Sequence, residues 1–154
     1  MQAIFGTICY TANMNKSGYP EPVTGAFIMS KDNKIFLMKS HKWSDMWVVP
    51  GGHVELNETI EHSLRREAKE ETNIDIAHPT FICLWEFIND KEFHDMRHMI
   101  FFNYRVDVVK ADVKLNSEGQ EYGWFSQKEA LQLPLNKYTR MTIEKYPEKI
   151  FMPQ

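Results

Sequence analysis

The sequence predicts a mixed β-sheet packed against helices, an α+β or α/β fold. Two observations carry that reading. The apolar runs are rich in β-branched and aromatic residues and fall into antiparallel hairpins. One long helical stripe sits in the middle of the chain instead of a helix after every strand, which argues against a doubly wound parallel sheet.

The elements follow in chain order. Ala3 to Tyr10, Val23 to Ser30 and Lys34 to Lys39 read as strands, the last two joined by the polar turn Lys31-Asp32-Asn33. Asn13 to Pro22, with Gly18, Pro20 and Pro22, reads as a loop. Trp47-Val48-Val49 is a short apolar run, and Pro50-Gly51-Gly52 should end it. Glu58 to Thr72 lacks Gly and Pro, and Ile60, Leu64 and Ala68 recur every fourth residue, so a helix is expected with Asn57 as its N-cap. Pro79 follows the helix exit. Thr80 to Ile88 and His98 to Val109 read as long strands joined by the charged hairpin Asn89 to Arg97. Tyr122 to Phe125 is a short strand. Ser126-Gln127-Lys128-Glu129 has capping-box spacing and opens a helix through Leu133. Asn136 to Tyr146 is expected as a last helix, stopped by Pro147.

A chain of 154 residues suits one domain, 1–154. Lys plus Arg is 18 and Asp plus Glu is 21, a net charge of −3, so no global pull toward long nucleic acid or anionic membranes exists. A polyanion must therefore be bound through local groups or metal ions. Cys9 and Cys83 lie in apolar stretches and read as buried thiols. No stretch approaches a membrane span and no basic segment precedes an apolar run at the start, so a cytoplasmic location is expected.

The most informative segment runs from Gly51 to Glu71. At about 100° per residue, Glu67, Glu70 and Glu71 share a sector of roughly 100° on the helix. They lie at the margin of the apolar stripe. Carboxylates held together there need a compensating charge. Arg66, one turn before Glu70, supplies one, and an oxygen-preferring divalent ion such as Mg²⁺ or Mn²⁺ would supply more. A solvated acidic face is the competing reading. The Gly-Gly loop tilts the choice, since its backbone can approach a metal or phosphate closely.

Gly52, then Glu58, then Arg66-Glu67-Ala68-Lys69-Glu70-Glu71-Thr72-Asn73-Ile74 resembles the Nudix box. The family pattern is Gly, five residues, Glu, seven residues, Arg-Glu-apolar-any-Glu-Glu-any-Gly-apolar. Every specified position matches except Asn73, which stands where Gly is usual. Asn is the best non-Gly residue for a left-handed helix end. The resemblance implies an α/β/α sandwich with a central mixed sheet, and a Mg²⁺-dependent hydrolase of a diphosphate linkage in a nucleotide or a nucleoside diphosphate derivative, with Mn²⁺ as a substitute. It also implies that Glu67, Glu70 and Glu71 bind metal and activate water, with the general base open among them. Arg66 would orient a box glutamate, Glu58 would be structural, and the Gly51 carbonyl would be a further ligand. Glu118 is the first choice for a ligand from outside the box and Glu121 the second.

Substrate contacts are expected from Gly52, His41, Trp43, Arg97 and His98, with Lys42, His94, Trp47 and Phe27 as weaker candidates. Large aromatics bury easily, so core packing competes for each of those rings. A small phosphorylated substrate is the expected partner. A homodimer through the last helix is an open option. The alternatives to nucleotide hydrolysis are a nucleotide sensor on the same fold and a hydrolase of a non-nucleotide diphosphate.

Overall fold

The computed structural model describes residues 18–152. The strand expected over 3–10, and Cys9 within it, lie outside the described residues. Strands β1 (Glu21–Met29) and β2 (Ile35–Ser40) flank the expected turn, where Asn33 takes a left-handed backbone. A 3-10 turn, His41–Trp43, leads into β3 (Met46–Val48) and β4 (Gly51–His53). Helix α1 (Ile60–Thr72) follows, then β5 (Ile74–Ile88), β6 (His98–Ala111) and β7 (Gly119–Phe125). Three short helices close the chain: α2 (Gln127–Ala130), α3 (Lys137–Lys145) and α4 (Pro147–Phe151).

The sheet is mixed. Its order is β3-β2-β1-β6-β5, with β4 also on β1 and β7 also on β2. β1 and β6 run parallel from Glu21↔Met99 to Met29↔Asp107, and the other pairings are antiparallel. β1 meets β2 only at Met29↔Ile35. Toward its start β1 takes β4 instead, through Val23, Thr24 and Gly25. A hollow opens where these neighbours part.

Side-chain alternation builds the two outer layers. Ala26, Ile28, Phe36 and Met38 point to one face and pack with Leu64 and Ala68 of α1. Phe27, Met29, Ile35 and Leu37 point to the other and pack with Ala130, Ile143, Ile150 and Phe151 from α2, α3 and α4. Each large side chain so buried contributes about 1.5–3 kcal/mol. The result is the α/β/α sandwich. No helix among the described residues is long and apolar enough to cross a membrane.

Several boundaries differ from the sequence reading. The N-cap of α1 is Thr59, whose hydroxyl accepts from the His62 amide at 3.2 Å, while Asn57 has φ 67° and shapes the preceding turn. β3 does end at Val48, ahead of Pro50, but Gly51 and Gly52 then form a strand of their own, Gly52 pairing with Thr24 and Gly51 with Gly25 at a distance that excludes a side chain at Gly51. β5 begins directly after α1 rather than at Thr80. Buried Ile74 and Ile76 pull it onto the sheet, and Pro79 is absorbed where the register shifts between Ala77 and Thr80. α2 has the full capping box of Ser126 and Glu129 but ends at Ala130. Pro147 stops α3 and also starts α4, as a residue lacking an N–H suits the first helical turn. α3 packs on its own domain through Thr139, Thr142 and Ile143.

Candidate active site

The chemistry gathers where α1 passes beneath β4. Leu64, Ala68, Glu71 and Thr72 are buried along one face of α1, so that face carries a carboxylate in its last turn. Glu71 is only 5% exposed. Its Oε2 accepts the Gly51 amide at 2.8 Å. Burial pushes the Glu71 carboxyl well above the usual carboxylate range, and the neighbouring charges of Glu67 and Glu118 push the same way, against the Gly51 amide and Lys42. Glu67 lies against Gly52 so closely that a Cβ there would collide with its carboxylate. Burial raises Glu67 too, opposed by Arg66.

Arg66 organises this face. Its Nε and Nη2 bond the two oxygens of Glu58, each at 2.8 Å. Its Nη1 reaches Glu67 Oε1 at 2.7 Å and Glu70 Oε2 at 3.2 Å, and Nη2 also donates to the His53 carbonyl at 2.9 Å. The fork to Glu58, with help from the Glu55 amide, holds the Glu58 carboxyl down at about 2. One guanidinium thus ties the loop after β4 to three glutamates. At the far end of α1, Asn73 has φ 59° and its side chain donates to the Asp112 carbonyl at 2.8 Å.

The segment after β6 brings in a distant acid. The Lys114 amide donates to the Thr72 carbonyl and the Asn116 amide to the Glu71 carbonyl, which lays this loop along the end of α1. Glu118 then reaches the hollow, where its Oε1 meets Lys42 Nζ at 2.6 Å. Glu121 sits on β7 opposite Lys39, is exposed and does not line the hollow.

The hollow has an acidic end and an apolar end. Gly51, Gly52, His53, Glu71, Glu118 and Lys42 stand at the first; Trp43, Met99, Phe101 and Tyr138 are at the second. Trp43 packs with Phe87, Phe93, Phe101 and Tyr138, so its ring is both core and wall. Phe27 and Trp47 belong to the core. His41 is an exposed residue bonded to Gln120 and close to Asp45. Arg97 pairs with Glu21 at 2.9 Å and with Asp95, and His98 with Glu86 at 2.9 Å. None of these three lines the hollow. His94 serves through its backbone, donating to the Lys42 carbonyl at 3.0 Å. Sequence reasoning passed over Asn103 and Tyr138. Asn103 had a signal: it is a lone amide within the aromatic run of β6, buried and facing the hollow.

The donor set suits a hard divalent cation: Glu67, Glu71 and Glu118 offer oxygen alone, and their mutual repulsion asks for positive charge between them. Among the described residues no three His, Cys, Asp or Glu side chains form a closed metal cage. Arg66 holds Glu67 and Glu70, and Lys42 holds Glu118, so ion pairs occupy the carboxylates.

An α/β/α sandwich with a glutamate-rich helix under a Gly-Gly strand defines a class of hydrolases that act on phosphoanhydrides. The NUDIX domain model matches residues 20–146, and the chain belongs to the Nudix family. It is a Nudix-type pyrophosphohydrolase. It is 36% identical over 104 residues to the nucleoside triphosphatase NudI of Escherichia coli, a match covering 63% of this chain and 73% of that protein. The crystal structure of a MutT NUDIX hydrolase from Burkholderia pseudomallei superposes with a TM-score of 0.72 at 26% identity, covering 82% of this chain and 97% of that one. The NUDIX domain of Shewanella oneidensis NrtR, solved with ADP ribose, shares the fold with a TM-score of 0.69 at 18% identity, covering 88% and 93%.

Proposed function

We propose that the protein hydrolyses a diphosphate linkage in a nucleotide, with Mg²⁺ as its metal and Mn²⁺ as a substitute. The observation that carries this reading is the Glu71 carboxylate, buried, held by the Gly51 amide and facing the hollow beside Glu118. The relative named as a nucleoside triphosphatase supports a nucleotide as substrate.

Glu67, Glu70, Glu71, Glu118 and the Gly51 carbonyl would hold the metal. Once bound, the ion neutralises pyrophosphate charge and makes a water more acidic. The chain itself does the rest. Arg66 keeps the glutamates aligned along one face of α1. Gly52, with no side chain, leaves the phosphates access to the helix. One of the three box glutamates accepts the proton of the attacking water, and desolvation makes Glu67 and Glu71 stronger bases than a solvated carboxylate. Lys42 lies beside the acidic end, placed to meet a phosphate oxygen. The apolar end, walled by Trp43, Phe101 and Tyr138, suits the planar base. The site of action is the cytoplasm, where nucleotides are made and used, and long nucleic acid is not a substrate.

The test is turnover of a panel of nucleoside triphosphates, dinucleotides, nucleotide sugars and non-nucleotide diphosphates with Mg²⁺, Mn²⁺ or chelator, beside Glu71→Gln. Metal-dependent cleavage of a diphosphate linkage, read as pyrophosphate or phosphate from a triphosphate and as two phosphate esters from a dinucleotide or nucleotide sugar, and lost in the variant, is the expected result. Absence of turnover across the panel, or equal rates in the variant, overturns the reading. Turnover confined to non-nucleotide diphosphates replaces its substrate.

A further inference from the structure

The hairpin between β5 and β6 is fastened across the apolar end of the hollow by contacts at both its sides. On one side, the Ser44 hydroxyl donates to the Glu92 carbonyl at 3.1 Å and the His94 amide to the Lys42 carbonyl. On the other, the Lys137 amide, at the start of α3, donates to Glu92 Oε2 at 2.9 Å. Between them stands Asp90, whose side chain is 13% exposed. It accepts from the Tyr138 hydroxyl at 3.2 Å and forms an ion pair with Lys137. Lys137 Nζ in turn lies 5.1 Å from the centre of the Tyr138 ring.

Tyr138 lines the hollow, stacked on Phe101 at 5.8 Å with the two planes 21° apart. A phenol ring in a wall has two torsions, and its apolar contacts alone allow it to slide or tilt. The hydroxyl bond to Asp90 removes that freedom. Phe93 of the same hairpin packs on Trp43 at 4.7 Å and also faces the hollow. The position of the hairpin and the tilt of Tyr138 are therefore set together.

We propose that Asp90 is a positioning residue for substrate selection: through the Tyr138 hydroxyl it fixes the ring that bounds the apolar end of the hollow, and so the width open to the planar part of the substrate. This rests on the nucleotide reading above. Asp90 bonds Tyr138, Lys137 and the Glu92 amide rather than a glutamate of α1, so it acts on recognition and leaves the chemical step alone. Freeing the ring from its fixed tilt should raise KM or Kd by about tenfold.

The experiment measures kcat and KM for the natural ribo- and deoxyribonucleoside triphosphates with Mg²⁺, in wild type, Asp90→Ala, Asp90→Asn, Tyr138→Phe and the double variant Asp90→Ala/Tyr138→Phe. Binding of the same nucleotides is measured by calorimetry in the Glu71→Gln background, and melting temperatures are recorded throughout. Tyr138→Phe is expected to raise KM and Kd about tenfold with kcat and melting temperature held, while Asp90→Ala, which also loses the Lys137 ion pair and the Glu92 amide, should raise KM and Kd at least as far with kcat held and melt lower. The double variant should be no worse in KM and Kd than Asp90→Ala, and Asp90→Asn, whose one side-chain oxygen can still accept the hydroxyl, should recover part of the loss. Unchanged KM and Kd, or a fall in kcat that tracks a fall in melting temperature, overturns the proposal while nucleotide turnover by wild type leaves the functional reading standing. Nucleotide binding that weakens in these variants without turnover by wild type does the reverse. Neither binding nor turnover overturns both.

Discussion

The Gly51 amide donates to Glu71 Oε2 at 2.8 Å, joining a strand and a helix that lie twenty positions apart. This bond fixes a buried carboxylate under β4. It offsets only part of the cost of burying that charge among other acids.

Glu71→Gln should therefore separate activity from stability. Turnover is expected to fall about a hundredfold or more, the usual scale for losing a proton acceptor. A carboxyl whose folded pKa is raised binds its proton more tightly in the folded chain. Its stabilising effect is whole below the ordinary 4.5 and is lost as pH rises toward the folded value. At neutral pH without metal the variant should melt higher than wild type, and calorimetry in chelator checks it.

Glu58 has the opposite sign. Its bond to Arg66 lowers its pKa from 4.5 to about 2, so its contribution is present above 4.5 and lost as pH falls toward 2. Urea midpoints at neutral pH and at acidic pH should drop more steeply for wild type than for Glu58→Gln. Equal drops would count against the pair.

Arg66→Lys should fail at both tasks of the guanidinium. An ammonium cannot repeat the fork to Glu58 while also reaching Glu67, Glu70 and the His53 carbonyl. A loss of about 2–4 kcal/mol in denaturant unfolding is expected, as for a broken, partly buried pair, together with a fall in kcat.

The two glycines should respond differently to alanine. At Gly51 the new Cβ meets the Thr24 backbone carbonyl, which cannot yield without parting β1 from β4, so stability should fall. At Gly52 it meets the movable end of Glu67, so the fold should hold while activity falls. Melting curves beside initial rates distinguish the cases.

Asn73→Gly should change stability by less than about 1 kcal/mol, since relief of the left-handed backbone offsets the lost bond to Asp112. Asn73→Ala loses the bond and keeps the strain, so it should cost about 1–2 kcal/mol. Chemical denaturation measures both.

The acidic helix, its Gly-Gly approach and the family were legible along the chain because they depend on local spacing: Glu67, Glu70 and Glu71 share a helix face whatever surrounds them. The mixed sheet was legible for the same reason, from apolar runs joined by short polar turns. Position across the fold was not. Pro50-Gly51-Gly52 does break β3, yet Gly51 and Gly52 start a new strand because Gly51, having no side chain, can lie against the Thr24 carbonyl of β1. Arg97 and His98 look like free cations in sequence, but the fold brings Glu21 and Glu86 to them. Glu118 enters the hollow because Lys114 and Asn116 bind the end of α1, and Asp90 of the hairpin meets Tyr138 of α3. Local periodicity decides which face a residue takes; only tertiary packing decides what that face meets, since partners distant along the chain are brought together by the burial of the whole core.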